Sequence, residues 1–88
     1  MKRFTQEEFD NKDNADIWIC ITLAISLGIG ANLDEVNAFE VETPDKIITF
    51  RIEKEEWKEF LDIAIDWFIK KEEYELCSEI SRIKNCLK

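Results

Sequence analysis

The sequence predicts a single α+β domain in which a small antiparallel sheet packs on a C-terminal helical hairpin. The 88 residues include 45% hydrophobic side chains, two glycines and one proline, a composition typical of a packed domain. Apolar and polar residues alternate in two segments between positions 38 and 53, and after position 54 the apolar residues take a helical spacing. Because a chain of this length builds one core, residues 1–88 are assigned to one domain.

The first element is a short helix. Thr5-Gln6-Glu7-Glu8 has the pattern of a capping box, in which the side chains of the first and last residues each accept a hydrogen bond from a free backbone amide at a helix start. This pattern predicts a helix over about residues 6–11.

Two structures fit the next apolar segment, residues 17–29. Large apolar side chains occupy every odd position and smaller residues occupy most even ones, a period of two that favours a strand. Five isoleucines favour a strand as well, so we expect a third strand over about residues 17–27. The alternative is a buried helix that begins after Asn14 and ends near Gly28, followed by a turn region through Asn32.

A β-hairpin is predicted over about residues 38–53. Its apolar positions alternate with polar ones on both sides of a Pro44-Asp45-Lys46 turn, in which proline restricts φ and aspartate can bond to the nearby backbone. The positions expected to face the helices are Phe39, Val41, Thr43, Ile48, Phe50 and Ile52. Because this face packs on the helices, the intervening polar residues are expected to face water.

The C-terminal part predicts two helices, over about 54–70 and 72–87. The first has one broad apolar face and a polar strip at four-residue spacing, formed by Lys58, Asp62, Asp66 and Lys70. Lys70-Lys71 is followed directly by Glu72-Glu73, which suits cations at the end of one helix and anions at the start of the next. The pattern therefore predicts a helical hairpin.

Part of this hairpin resembles a known motif. The residues that carry the resemblance are Leu61, Ala64, Ile65, Ile69, Glu73, Tyr74, Glu75, Cys77, Ser78, Ile80 and Leu87. They are similar to the UVR motif, a short helical hairpin of nucleotide-excision-repair and Clp-chaperone-associated proteins that usually ends in Tyr-Glu-x-Ala-Ala-x-x-Arg-Asp. Here Ser81-Arg82 stand in place of its Arg-Asp. The resemblance implies a helical hairpin that contacts another protein.

The sequence argues against an enzyme, a metal site or a cofactor. It contains no histidine, so no serine or cysteine can be matched with a histidine base. Gly28-x-Gly30 lacks the third glycine of a dinucleotide-binding loop, because Leu33 stands there, and it is interpreted as a turn. Asp62 and Asp66 lie one helical turn apart and are interpreted as part of a solvated face.

Cysteine use and hydropathy predict a cytoplasmic protein without a membrane span. Cys20, Cys77 and Cys86 form no C-x-x-C pair, and we expect them to be small buried thiols in a reducing compartment. The first residues run directly into acidic ones, so we expect no signal peptide. The most apolar run, residues 17–31, is shorter than the roughly 20 residues that a helix needs to cross a bilayer.

The charge distribution suggests a function in protein binding. The formal net charge is −8, and residues 34–62 hold ten acidic and four basic residues, which argues against binding nucleic acid. A concentrated negative field instead speeds encounters with a basic protein. We therefore predict a non-enzymatic binding domain, an inhibitor or adaptor, that engages a basic protein surface through Glu40, Glu42, Asp45, Glu53, Glu55, Glu56 and Glu59.

The alternative function belongs to a different class. The helix over residues 57–69 is so apolar that it needs cover on more than one side, which is typical of a structural subunit that assembles into a homo-oligomer.

Overall fold

Residues 1–87, the part of the chain that the computed structural model describes, form three strands and four α-helices. In chain order these are β1 (Arg3–Thr5), α1 (Gln6–Asp10), α2 (Ala15–Gly30), β2 (Glu35–Glu42), β3 (Ile47–Glu53), α3 (Trp57–Lys70) and α4 (Tyr74–Asn85), with a 3-10 turn, Lys54–Glu56, before α3. The strands lie in the order β1-β2-β3. The predicted α+β class and the C-terminal helical hairpin are confirmed.

The expected strand over residues 17–27 was wrong, because this segment is the helix α2. The Asn14 side chain begins the helix by accepting a hydrogen bond of 3.1 Å from the Asp16 amide. Asn32 ends it in the left-handed region, at φ 57°, while the Leu33 amide donates to the Gly28 carbonyl at 2.9 Å. A helix that is apolar on every side shows no 3.6-residue period, so its alternation of large and small residues imitates a strand.

The third strand is instead β1, and it makes the sheet mixed rather than antiparallel. β1 pairs parallel to β2, with Phe4 opposite Val41. The capping box that follows it is present as predicted: Thr5 Oγ1 accepts from the Glu8 amide at 3.1 Å, and a Glu8 carboxylate oxygen accepts from the Thr5 amide at 2.8 Å. A three-residue strand directly before a helix is too short for its alternation to be read from the sequence.

The predicted hairpin is confirmed, and it is longer than expected at its first strand. β2 and β3 pair antiparallel from Glu35 opposite Glu53 to Glu42 opposite Ile47, with an irregularity at Ala38. Because of this bulge, the residues that precede it and those that follow it in β2 can face the helices together. Phe39 is buried there and stacks on Phe50, with ring centroids 4.9 Å apart.

The helical hairpin packs through one side of each helix. α3 buries Trp57, Leu61, Ala64 and Phe68, and the Trp57 indole donates to the Ile52 carbonyl at 3.2 Å. α4 begins after Glu72, whose φ of 59° ends α3 as predicted, and it adds Ile80 to the core. Where α3 ends, the Lys71 ammonium lies 2.7 Å from Asp13 and holds the pKa of that carboxyl below its ordinary value.

The elements form a thin, two-layered molecule. Its Cα extents are 39 × 31 × 17 Å, and the buried side chains lie between one face of the sheet and the helices. The other face of the sheet carries the polar residues that alternate with the core positions of β2 and β3, together with the exposed Ile47. Ile48, which was expected to pack on the helices, is also exposed, because it lies next to the turn of the hairpin.

Candidate protein-binding surface

The seven predicted contact residues lie in two groups at opposite ends of the hairpin. Glu40, Glu42 and Asp45 lie near the turn between β2 and β3. Glu53, Glu55, Glu56 and Glu59 lie where β3 passes into α3. Glu42 is opposite Ile47 and therefore lies about 20 Å along β3 from Glu53, while Glu40, opposite Thr49, lies about 13 Å from it, so the two groups do not form one continuous surface.

Glu40 differs from the other six because it is paired and half-buried. Pairing of β1 beside β2 places the Arg3 guanidinium against it, and the Arg3 Nε and Nη2 donate to one Glu40 carboxylate oxygen at 3.3 and 3.2 Å. Much of its charge is therefore compensated within the domain. Glu42 and Asp45 are exposed, and neither is within salt-bridge distance of a cation among residues 1–87.

The second group is larger than the sequence predicts. Glu35 pairs across the sheet with Glu53, and the Asp34 carbonyl accepts a hydrogen bond of 2.8 Å from the Lys54 amide, so both acids join this end of the sheet. We call the resulting surface the acidic end; it consists of Asp34, Glu35, Glu53, Glu55, Glu56 and Glu59. All six are exposed. The acid-rich stretch that begins at position 34 signals the two additional residues, but only strand pairing brings them beside Glu53.

Within the acidic end, backbone and side-chain contacts hold the local geometry. The Glu53 amide donates to a Glu56 carboxylate oxygen at 3.4 Å, which orders the turn into α3. Glu35 lies 3.6 Å from the Arg51 guanidinium, with both side chains more than half exposed. An ion pair this open to water contributes little, and it leaves most of the negative charge uncompensated.

The lysines of the segment from β3 into α3 line a cleft beside the acidic end. Lys54 and Lys58 line an open cleft of about 860 Å³ between the ends of α2 and α4, where Lys84 also lies. Of the acidic end, only Glu55 lines this cleft. The segment from β3 into α3 therefore separates its charges, with lysines toward the cleft and most carboxylates away from it.

The two aspartates on α3 have different surroundings. Asp62 is 2.5 Å from the Lys84 ammonium, while Asp66 is exposed one turn further along. Among residues 1–87, no group of three or more Cys, Asp or Glu side chains is placed to hold a metal ion.

The three cysteines are free, but the expectation that all are buried was wrong. Cys86 is exposed, because it lies just beyond the last residue of α4. Cys20 and Cys77 are half-buried, and burial raises the pKa of the Cys20 thiol. Gly28 and Gly30 also differ from expectation, because both belong to the last turn of α2 rather than to the turn after it.

Exposed apolar side chains lie on several elements, including Ile47 and Ile48 of β3 as well as residues of α2 and α3. On α3, Ile63 and Ile69 are exposed, but the charged residues Asp62, Asp66 and Lys70 lie among them. The larger exposures belong to α2, where Leu23 is 58% and Leu27 is 74% exposed. No helix within residues 1–87 combines the length and the apolar character that a membrane crossing requires.

Comparison of the chain with protein-family models, with characterised proteins and with solved structures finds no match.

Proposed function

We propose that the protein is a non-enzymatic binding domain, an inhibitor or adaptor in the cytoplasm, whose acidic end engages a basic surface of a protein partner. The observation that carries the proposal is the concentration of six exposed carboxylates at one end of the sheet, beside lysines that turn into the neighbouring cleft. The net charge of −8 supports a cationic partner.

The acidic end is better suited to electrostatic recognition of a partner than to the burial of apolar surface. Its side chains project from a strand end, a 3-10 turn and the first turn of α3, so the backbone that carries them is held by the sheet and by the buried Trp57. Carboxylates on such a frame are oriented before the partner arrives. This arrangement favours fast, salt-dependent association.

Affinity capture from native-host extract tests the proposal with matched baits. One variant reverses Glu53, Glu56 and Glu59 to Lys, and the control reverses the exposed Glu73, Glu75 and Glu79 of the α4 region, which changes the net charge equally. We expect wild type and control to retain one basic protein that the first variant loses, as identified by mass spectrometry. Equal loss from both variants would show that only overall charge matters, and retention by both would place the contact elsewhere.

A second contact surface is supported by the UVR-like hairpin. Tyr74 is 61% exposed at the start of α4, and with Ile69 and Arg82 it lines a shallow groove between α3 and α4. A partner bound there would make near-neutral, apolar contacts. Its capture would survive reversal of the acidic end and would change little with ionic strength.

A further inference from the structure

The cleft of about 860 Å³ beside the acidic end combines cations with an apolar lining. The apolar part comes from three elements, because Leu33 follows α2, Trp57 begins α3 and Leu87 follows α4. Trp57 is buried, whereas Leu33 is 45% exposed and is open to a molecule in the cleft. Pockets that bind small molecules usually measure about 300 to 1,000 Å³ and place a few polar groups in an apolar lining. The cleft has the size and the lining of such a pocket.

Three lysines line the cleft, and two of them have no anionic partner. Lys84 enters it from α4, with its ammonium 2.5 Å from the Asp62 carboxylate. Lys54 and Lys58 are exposed, and neither lies within salt-bridge distance of a carboxylate among residues 1–87. Glu55 is the one carboxylate among the lining residues. Three lysines against Glu55 and Asp62 leave one positive charge in excess, in a molecule whose net charge is −8.

The position of the two unpaired lysines is unfavourable for the isolated domain. Lys54 and Lys58 are four positions apart, in the 3-10 turn and in the first turn of α3, and both line the same cleft. Like charges at this spacing repel each other, and cations at the N-terminal end of a helix oppose its dipole. An anion bound between the two ammonium groups would relieve both effects. Local conflicts of this kind are expected at functional sites.

We propose that this cleft binds a small organic carboxylate that has an apolar body and a single negative charge. The carboxylate would lie between the ammonium groups of Lys54 and Lys58, and the apolar body would lie against Leu33 and Leu87. The single excess charge of the cleft favours a monoanion. A longer polyanion would extend toward the acidic end and be repelled by it. The site goes beyond the proposed function, because neither lysine belongs to the acidic end.

Titrations followed by ¹H–¹⁵N NMR test the proposal with three matched probes. The first is 4-phenylbutanoate, the second is 4-phenylbutanamide, which has the same body without the charge, and the third is acetate, which has the charge without the body. We expect a dissociation constant of the order of 1 mM for 4-phenylbutanoate, as its size suggests. The other two should bind at least about fivefold more weakly. The amide signals that shift should include those of Leu33, Lys54 and Asn85, which line the cleft.

A pair of double variants tests the role of the two lysines. Lys54→Gln with Lys58→Gln should bind 4-phenylbutanoate about fivefold more weakly than wild type, and no better than it binds the amide probe. The control, Lys46→Gln with Lys70→Gln, removes two exposed lysines that do not line the cleft, and it should bind like wild type. The spectra of the unbound variants verify that both are folded.

Four results would overturn the proposal. They are no binding of 4-phenylbutanoate up to about 20 mM, equal affinities of wild type for the carboxylate and the amide, shifted signals confined to residues outside the cleft, and equal weakening in the two double variants. The last result would mean that the overall charge of the protein, and not the cleft, attracts the anion. The experiment requires no protein partner, so its outcome is independent of the function proposed for the acidic end.

Discussion

Gly28 lies where α2 packs against Val36 of β2 and against Trp57. A Cβ at this position would be 2.5 Å from Val36 Cγ1 and 2.9 Å from Trp57 Cη2, whereas a Cβ on Gly30 would meet nothing within 4 Å. The sequence places both glycines in a turn. The two glycines differ only in tertiary packing, because Gly28 alone contacts Val36 and Trp57. No local sequence pattern predicts that contact.

Gly28→Ala should therefore destabilise the domain, and Gly30→Ala should not. Forcing a methyl group into the contact of α2 with Val36 and Trp57 should lower the free energy of unfolding by about 1 to 3 kcal/mol. Gly30→Ala should leave it unchanged or raise it by up to about 1 kcal/mol, because alanine is the better helix former. Urea denaturation followed by circular dichroism measures both, and equal effects would mean that α2 does not approach Trp57 as described.

α2 and α3 end with the same hydrogen-bond pattern. At the end of α3, the amides of Glu72 and Glu73 donate to the carbonyls of Ile69 and Phe68 at 3.0 and 2.9 Å, and α2 ends in the same way around Asn32. Both central residues are left-handed and neither is glycine, with φ of 57° at Asn32 and 59° at Glu72. Glutamate tolerates this conformation less well than asparagine.

Glu72→Gly should consequently stabilise the domain by about 1 kcal/mol, because it relieves left-handed strain and removes an anion from the negative end of α3. Asn32→Gly is the matched control and should have a smaller effect. Thermal and chemical denaturation provide the test. A loss of stability in Glu72→Gly would show that this position is not left-handed.

The elements that the sequence predicts best are those with a clear period or a local cap. The hairpin follows from the alternation around Phe39 and Phe50, and α1 follows from the capping box at Thr5. α2 is ambiguous because uniform apolarity erases its helical period, although Asn14 marks its start. β1 is missed because its pairing with β2 spans more than thirty positions and leaves no pattern within three residues.

At the scale of the whole molecule, the charge count locates an acidic surface but not its limits. The acid-rich stretch of residues 34–62 correctly includes the exposed carboxylates of the acidic end. It does not anticipate that Arg3 compensates Glu40, since the partner comes from another strand. Reversal of Glu40 would therefore disturb β1 as well as the surface, whereas Glu53, Glu56 and Glu59 form no ion pair among residues 1–87. Because Glu56 also accepts a hydrogen bond from the Glu53 amide, circular dichroism has to verify that the triple variant keeps its fold.

The association rate as a function of ionic strength tests most directly whether the acidic end is the binding surface. The measurement uses stopped-flow kinetics with the partner isolated by capture, for wild type and for the triple reversal of Glu53, Glu56 and Glu59 to Lys. We expect the reversal to slow association at least about tenfold at low salt, and the difference to shrink as the Debye length falls toward about 8 Å. Equal rates at low salt for a folded triple variant would contradict the account.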